Sequence, residues 1–316
     1  MRIVSAANEI NAGGREVCVA IGFFDGVHLG HQQIIRQTIA DARRREGQAL
    51  VLTFDCHPNT VVAPARVPPL IYPLSQKLRA IESLGIDTLL LIHFDKGFSA
   101  QSGEAFVRNL AGDLGNLRSL CVGANFAFGA RRSGNVELLK RLGQELRFQV
   151  HGMAAVSLDG RAVSSTRIRE AIAAGRLDRA SQMLGRAYSL TGSVVRGEGL
   201  GRILGFPTAN LQTSGLVLPP AGVYAAHAEV NGATFRAVLN IGRRPTVNDS
   251  PAPLRVEAHL LGYSADLYGR ELTLAFVEKL REEKKFGSLE ELRAQIARDA
   301  AYWESADNSR RESSVS

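Results

Sequence analysis

Val17-Cys18-Val19-Ala20-Ile21 is an unbroken apolar run. A strand that is apolar on both of its faces must be covered on both, and a parallel sheet clad by helices meets that demand. A glycine-rich turn, Gly22-Phe23-Phe24-Asp25-Gly26-Val27-His28-Leu29-Gly30-His31, follows directly, and 32–45 then reads as a helix. The alternation repeats, with a strand over 49–54, a helix over 74–84, a strand over 88–93, a helix over 102–114 with Ser102 as N-cap, and a short buried strand over 119–122. This predicts an α/β first half built on a parallel sheet, whose ligands lie beyond the carboxyl ends of the strands. That rule singles out the turn carrying His28 and His31, the loop Asp55-Cys56-His57-Pro58, and the loop Gly123-Ala124-Asn125-Phe126.

The pattern changes after about residue 185. Stretches 188–195, 222–230, 233–241, 255–261 and 271–279 are β-like and are separated by Gly, Pro and Asn turns. An antiparallel β-barrel or a closed sandwich is predicted there, rather than a second doubly wound sheet. A terminal helix over 289–303 starts from Ser288, with Glu291 completing a capping box. The domains are expected at 1–186 and 187–304, with the polar 305–316 a disordered tail.

A chain of 316 residues can hold two such domains, each with its own core. Although 45% of residues are apolar, no stretch of about 18 uncharged apolar residues occurs, so no membrane span is expected. Arg2, Glu9, Arg15 and Glu16 interrupt the beginning of the chain, which reads as cytoplasmic rather than secretory. Cys18, Cys56 and Cys121 show no C-x-x-C or zinc spacing and read as buried, reduced thiols. The net charge of +7 is spread along the chain rather than gathered in a block. Anionic small-molecule substrates account for it, and no nucleic-acid or membrane partner is expected.

His28 and His31 fall on one side of the first helical turn, where the helix N-terminus also directs its amide donors. Imidazoles so placed can hydrogen-bond phosphate oxygens and stabilise charge as a bond to phosphorus breaks. Further on, Ser164-Ser165-Thr166-Arg167-Ile168-Arg169 caps a helix whose first turn holds two arginines. Cations are unfavourable at that helix end unless an anion neutralises them. Taken locally, His57 is either a loop histidine or a ligand contact, and Asn125 either caps a turn or faces phosphate.

In the second half, Gly197-Glu198-Gly199-Leu200-Gly201-Arg202 leads into Phe206-Pro207-Thr208-Ala209-Asn210. It is not a Walker A loop, since it lacks Gly-Lys-Ser/Thr. On an extended segment Thr208 and Asn210 share a face, presenting either two hard oxygen ligands for Mg2+ or an ordinary polar strand surface. In Arg255-Val256-Glu257-Ala258-His259 the polar and apolar positions alternate. Glu257 therefore faces away from the core, as a general base or as a surface glutamate.

The string Gly-x-Phe-Asp-Gly-Val-His-x-Gly-His resembles the H-x-G-H nucleotidylyltransferases. More narrowly, it resembles the adenylyltransferase module of bacterial bifunctional riboflavin kinase/FAD synthetases. Gly-x-x-x-Gly-Arg-x-x-Gly-Phe-Pro-Thr-Ala-Asn is similar to the riboflavin kinase signature, so the resemblance runs over roughly residues 15–303. It implies a Rossmann-like nucleotidylyltransferase domain followed by a kinase barrel. Riboflavin would be phosphorylated to FMN and FMN adenylylated to FAD, with ATP as co-substrate and Mg2+ as cofactor. It also implies ATP or phosphate contacts from Gly22, Asp25, Gly30, His57, Asn125, Ser165, Thr166, Arg169, Gly197, Gly201 and Arg202. His28 and His31 would act in adenylyl transfer, Glu257 as kinase base, Thr208 and Asn210 as metal ligands, and Arg281 near the flavin. Asn240-Ile241-Gly242-Arg243-Arg244-Pro245-Thr246 also matches. Cys56, where proline is common, and Gly262-Tyr263, where Leu-Asp-Phe-like residues are usual, depart from the pattern. A different adenylyltransferase would leave Phe206 to Asn210 unexplained. A regulator that had lost activity would have no need of His28, His31, Thr208, Asn210 and Glu257 together.

Overall fold

The computed structural model describes residues 1–10, 13–243 and 254–314, so Arg244, Pro245 and Thr246 of the second motif lie outside the described residues. The chain packs as two units, Met1–Arg167 and Ile168–Ser316.

In the first unit, β1 (Arg2–Val4), β2 (Val17–Ile21), β3 (Gln48–Phe54), β4 (Thr88–Ile92), β5 (Leu117–Gly123) and β6 (Gln149–Met153) form a parallel sheet. Its order is β1-β4-β3-β2-β5-β6. Among the described residues, four helices flank the sheet: α1 (Leu29–Arg44), α2 (Leu74–Glu82), α3 (Gly103–Leu114) and α4 (Val136–Leu146). Strand β2 lies in the interior of the sheet and is buried throughout, as its composition requires. Val17, Val19 and Ile21 pack with Val107, Leu110, Leu139 and Leu142 of α3 and α4. Cys18 and Ala20 point the other way, toward Ile35 and Ile39 of α1 and Ile81 of α2. The period of two along the strand thus divides one apolar run between two cores. Cys18 and Cys121 are buried as expected, whereas Cys56 is only half-buried.

Helix α1 begins three residues before the predicted start because His28 is its N-cap, accepting from the His31 amide through Nδ1 at 3.4 Å. Ser102 caps α3 as predicted, accepting from the Ala105 amide. Strands β1 and β6 and helix α4 had no sequence expectation. Both strands are edges of the sheet, and Gln-Val-His-Gly-Met in β6 carries no continuous apolar run.

Helix α5 (Ser165–Ala173) spans the division between the units, and α6 (Leu177–Leu184) follows. Six strands among the described residues then close an antiparallel barrel: β7 (Ser189–Val195), β8 (Ala209–Gln212), β9 (Gly222–Val230), β10 (Ala233–Arg243), β11 (Leu254–Leu260) and β12 (Glu271–Arg281). Their order is β7-β8-β11-β10-β9-β12. Helix α7 (Leu289–Ser314) seals one side, burying Trp303 among Val223, Ala225 and Val238. It runs past the predicted end at 303, since no Gly or Pro interrupts the polar stretch that follows. At its start Ser288 Oγ accepts from the Glu291 amide, but the Glu291 carboxylate accepts from Gly287 rather than from Ser288.

Candidate active sites

The first site lies at the carboxyl end of the parallel sheet. A cavity of about 730 Å³ opens there, bordered by Gly22, His28, Gly30, His31, Asn125 and Ser165. The turn before α1 is tightly wound, with Phe24 and Val27 in left-handed backbone at φ 55° and 42°. Gly26 is also left-handed, and a Cβ there would meet Ile71 Cδ1 at 2.9 Å. This winding stacks the His28 and His31 rings, their centroids 3.5 Å apart and their planes 19° apart. Because His28 Nδ1 is the acceptor of the α1 cap, its proton is assigned to Nε2, which can donate to a ligand. Burial holds His31 in its neutral form, well below the usual histidine pKa, and the neighbouring His28 and Lys77 charges add to the effect. His31 Nδ1 is sealed from solvent without a hydrogen-bond partner.

Two motifs far apart in sequence converge here. Ser165 Oγ, at the start of α5, donates to the Asp25 carbonyl at 3.1 Å and ties this helix start to the histidine turn. Ser164 is the local cap, accepting from the Arg167 amide. Arg167 donates to the Arg161 and Ala162 carbonyls. Thr166 and Arg169 continue along the helix, and neither borders the cavity described above. Asp25 does not border it either. Its buried carboxylate accepts from the Ile71 amide at 3.0 Å and the Tyr72 amide at 3.3 Å, latching a distant segment to the turn. His57 stands just behind the cavity wall, its ring 4.8 Å from Phe23 and its Nδ1 accepting from the Asn59 amide.

Sequence reasoning missed the character of the cavity wall. Eight of the chain's 13 phenylalanines border it. Phe54, Phe94, Phe98, Phe106 and Phe128 form a chain of edge-on contacts with centroids 5.3–5.9 Å apart, and Phe126 stacks on Phe128 at 5.1 Å. Such a surface suits a flat aromatic ligand. Arg131 and Arg132, also on the border, place two cations beside it.

Lys77 was missed as well. Its buried ammonium donates to the Phe54 carbonyl at 2.7 Å, Thr53 Oγ1 at 3.2 Å and the Phe23 carbonyl at 3.3 Å, joining the end of β3 to the histidine turn. Burial pulls its pKa down to about 8.

The second site is on the barrel surface. Strand register sets Asn210 of β8 and Asn240 of β10 on either side of Glu257 of β11. Val256 and Ala258 are buried while Glu257 is half-buried, so the predicted alternation is what the barrel displays. Thr208 Oγ1 lies 3.5 Å from Glu257 Oε2. The glycine loop packs directly on this group. A Cβ on Gly197 would come within 2.2 Å of Asn210 Nδ2, and one on Gly201 within 3.1 Å of Thr208 Oγ1. The hydroxyl and amide oxygens are hard donors beside a carboxylate, a set that fits Mg2+ held with phosphates. Arg202 and Thr208 border a second cavity, of about 260 Å³, walled by residues 263–268. Arg281 is engaged elsewhere, its guanidinium forked onto the buried Asp299 carboxylate of α7 at 2.9–3.2 Å.

Comparison with known proteins agrees with this division of chemistry. The FAD synthetase family matches residues 11–167 and the riboflavin kinase family residues 184–306. The bifunctional riboflavin kinase/FMN adenylyltransferase of Escherichia coli K12 is 37% identical over 303 residues, spanning 95% of this chain and 96% of that protein. That of Listeria monocytogenes is 36% identical, covering 89% of each. A crystal structure from Streptococcus pneumoniae, described as a macrolide-efflux protein, superposes with a TM-score of 0.80 at 26% identity, covering 95% of this chain and 98% of that one. No helix among the described residues of the present chain is long and apolar enough to cross a membrane. With both halves matched in order, the chain belongs to the bifunctional riboflavin kinase/FMN adenylyltransferase family, its adenylyltransferase preceding its kinase.

Proposed function

We propose that residues 187–304 phosphorylate riboflavin at the Glu257 site and that residues 1–186 adenylylate the resulting FMN at the His28–His31 site. The observation that carries the reading is the pair of separate clusters, one of two stacked imidazoles at a helix start and one of a carboxylate between two asparagines. In the barrel, Glu257 takes the proton of the ribityl 5′-hydroxyl, whose oxygen attacks the ATP γ-phosphorus while ADP leaves. Gly197, Gly201 and Arg202 cradle the nucleotide phosphates. Mg2+ would be held by the Thr208 hydroxyl and the Asn210 amide oxygen together with those phosphates, where it neutralises their charge. Arg281 acts on the flavin side by fixing α7 through Asp299.

In the α/β unit, a phosphate oxygen of FMN attacks the ATP α-phosphorus and pyrophosphate leaves. The His28 and His31 rings donate to phosphate oxygens as charge develops there. Gly22 and Gly30 let backbone approach the nucleotide, Asn125 and Ser165 add polar contacts from the cavity border, and Asp25 and His57 brace the turn. The phenylalanine wall receives the isoalloxazine, and Arg131 and Arg132 attract the FMN phosphate. Free thiols and nucleotide chemistry suit a reducing setting and support a cytoplasmic location.

Incubation with riboflavin, ATP and Mg2+, followed by chromatographic separation of the flavins, tests this reading. FMN should appear first and FAD second. His28→Ala with His31→Ala should stop the sequence at FMN. Glu257→Ala should block riboflavin consumption yet leave FAD formation from added FMN intact, and equal loss of both activities would overturn the assignment.

A further inference from the structure

Three residues distant in sequence meet on the α1 side of the parallel sheet. Asp41 lies on α1, and Cys121 and His151 are register partners on β5 and the edge strand β6. Asp41 and Cys121 are buried, and His151 is half-buried. One carboxylate oxygen of Asp41, Oδ1, is already held, since Gln37 Nε2 donates to it at 2.8 Å and the Arg44 guanidinium pairs with it. The other, Oδ2, lies 2.9 Å from His151 Nε2 and 3.8 Å from Cys121 Sγ. His151 Nε2 is sealed from solvent and, despite its proximity to Oδ2, makes no hydrogen bond.

We propose that Asp41, Cys121 and His151 are the ligands of one divalent transition-metal ion of the zinc type. The three donor atoms lie within 4.8 Å of one another. Tetrahedral zinc, with bonds of about 2.0–2.3 Å, sets neighbouring ligand atoms roughly 3.3–3.6 Å apart. The observed contacts of 2.9 and 3.8 Å straddle that range, so small side-chain shifts suffice. A thiolate, an imidazole and one carboxylate oxygen select zinc or cobalt over magnesium or calcium. The hold on Oδ1 by Gln37 and Arg44 is the outer support that a ligating carboxylate requires.

The His151 side chain is 30% exposed, which gives an ion a route in from the sheet edge. On binding, the Cys121 S–H proton passes to solvent, and sulfur, nitrogen and oxygen each donate a lone pair, with no change of oxidation state. Ile34 on α1, Gly123 on β5 and Met153 on β6 border the large cavity. An ion here therefore clamps the three elements that form that part of the cavity wall.

Titration of the metal-free full chain with Co2+, without nucleotide, tests the proposal. One equivalent should bind with visible bands of tetrahedral cobalt and a near-ultraviolet sulfur-to-cobalt charge-transfer band, and Zn2+ should displace it. Cys121→Ser should lose the charge-transfer band and Cys56→Ser should keep it. His151→Ala, at the half-exposed sheet edge, should weaken binding while the circular dichroism stays native. Gln37→Ala should weaken it about 10–100-fold. Absence of binding, binding without the sulfur band, or a band that persists in Cys121→Ser would overturn the site.

Discussion

Lys77 turns burial into a measurable dependence of stability on pH. Its side chain is 3% exposed, and desolvation lowers its pKa from 10.5 to about 8, against the opposing pull of Asp25 and Asp55. Above pH 8 the folded chain releases this proton, while the unfolded chain keeps it until about pH 10.5. In that window the unfolded state binds more protons, so stability rises with pH. That difference in pKa corresponds to about 3 kcal/mol, gained as pH climbs through the window and absent below it. Lys77→Met abolishes this contribution. At neutral pH the variant escapes the burial cost of the charge, but it takes the ammonium donor from the Phe54 carbonyl, at about 1–3 kcal/mol if that group remains dry, while Thr53 Oγ1 still donates to the Phe23 carbonyl.

Urea unfolding followed by far-ultraviolet circular dichroism measures the effect. The fluorescence of Trp303, the chain's one tryptophan, marks the barrel's own transition. The stability of wild type relative to Lys77→Met should grow by about 3 kcal/mol between about pH 7 and about pH 11. A difference that stays flat over that range would refute the claim that Lys77 is held near neutrality by burial. Phe23 and Phe54 border the cavity, so the variant should also slow adenylylation while sparing the kinase.

Three further outcomes are expected. Gly197→Ala forces a Cβ against the Asn210 amide and should lower kinase turnover while FAD formation from added FMN is unchanged, read by assaying the two steps separately. Trp303→Ala empties the barrel flank and removes the Nε1 hydrogen bond to the Ala226 carbonyl, costing about 3–5 kcal/mol in the barrel's unfolding transition. His31 has its folded pKa pushed below 6.5, so the unfolded chain takes up this proton first on acidification. The α/β unit should therefore lose stability as pH falls through about 6.5, and His31→Asn should flatten that slope in urea titrations.

Both architectures were legible where an element's own composition dictates its surroundings. Strand β2 had to be covered on two faces, and it is. Glu257 had to point away from Val256 and Ala258, and it does. Strand β6 escaped notice because an edge strand with one half-exposed histidine and a glycine carries little apolar signal. The early start of α1 escaped because the cap is a histidine, which is not among the residues usually read as caps.

Site residues divide along the same physical line. Motif residues proposed to face a ligand, such as His28, His31, Thr208 and Asn210, can be recognised from spacing, because a ligand would fix their positions relative to one another. Asp25 belongs to the same motif, yet its carboxylate is spent on backbone amides of residues 71 and 72, a partnership that no local pattern could disclose. Arg281 is likewise held by Asp299 of the terminal helix. The cavity wall is the extreme case. Phe54, Phe94, Phe98, Phe106, Phe126 and Phe128 are scattered over four strands and helices and the loops between them, and each alone reads as ordinary core. Stacking on a flat ring requires only aromatic area at the right place, and the parallel sheet supplies that place by bringing these loops to one end. The motifs proposed for phosphate chemistry therefore leave a linear trace in this chain, whereas the aromatic wall proposed for the flavin appears only once the chain has folded.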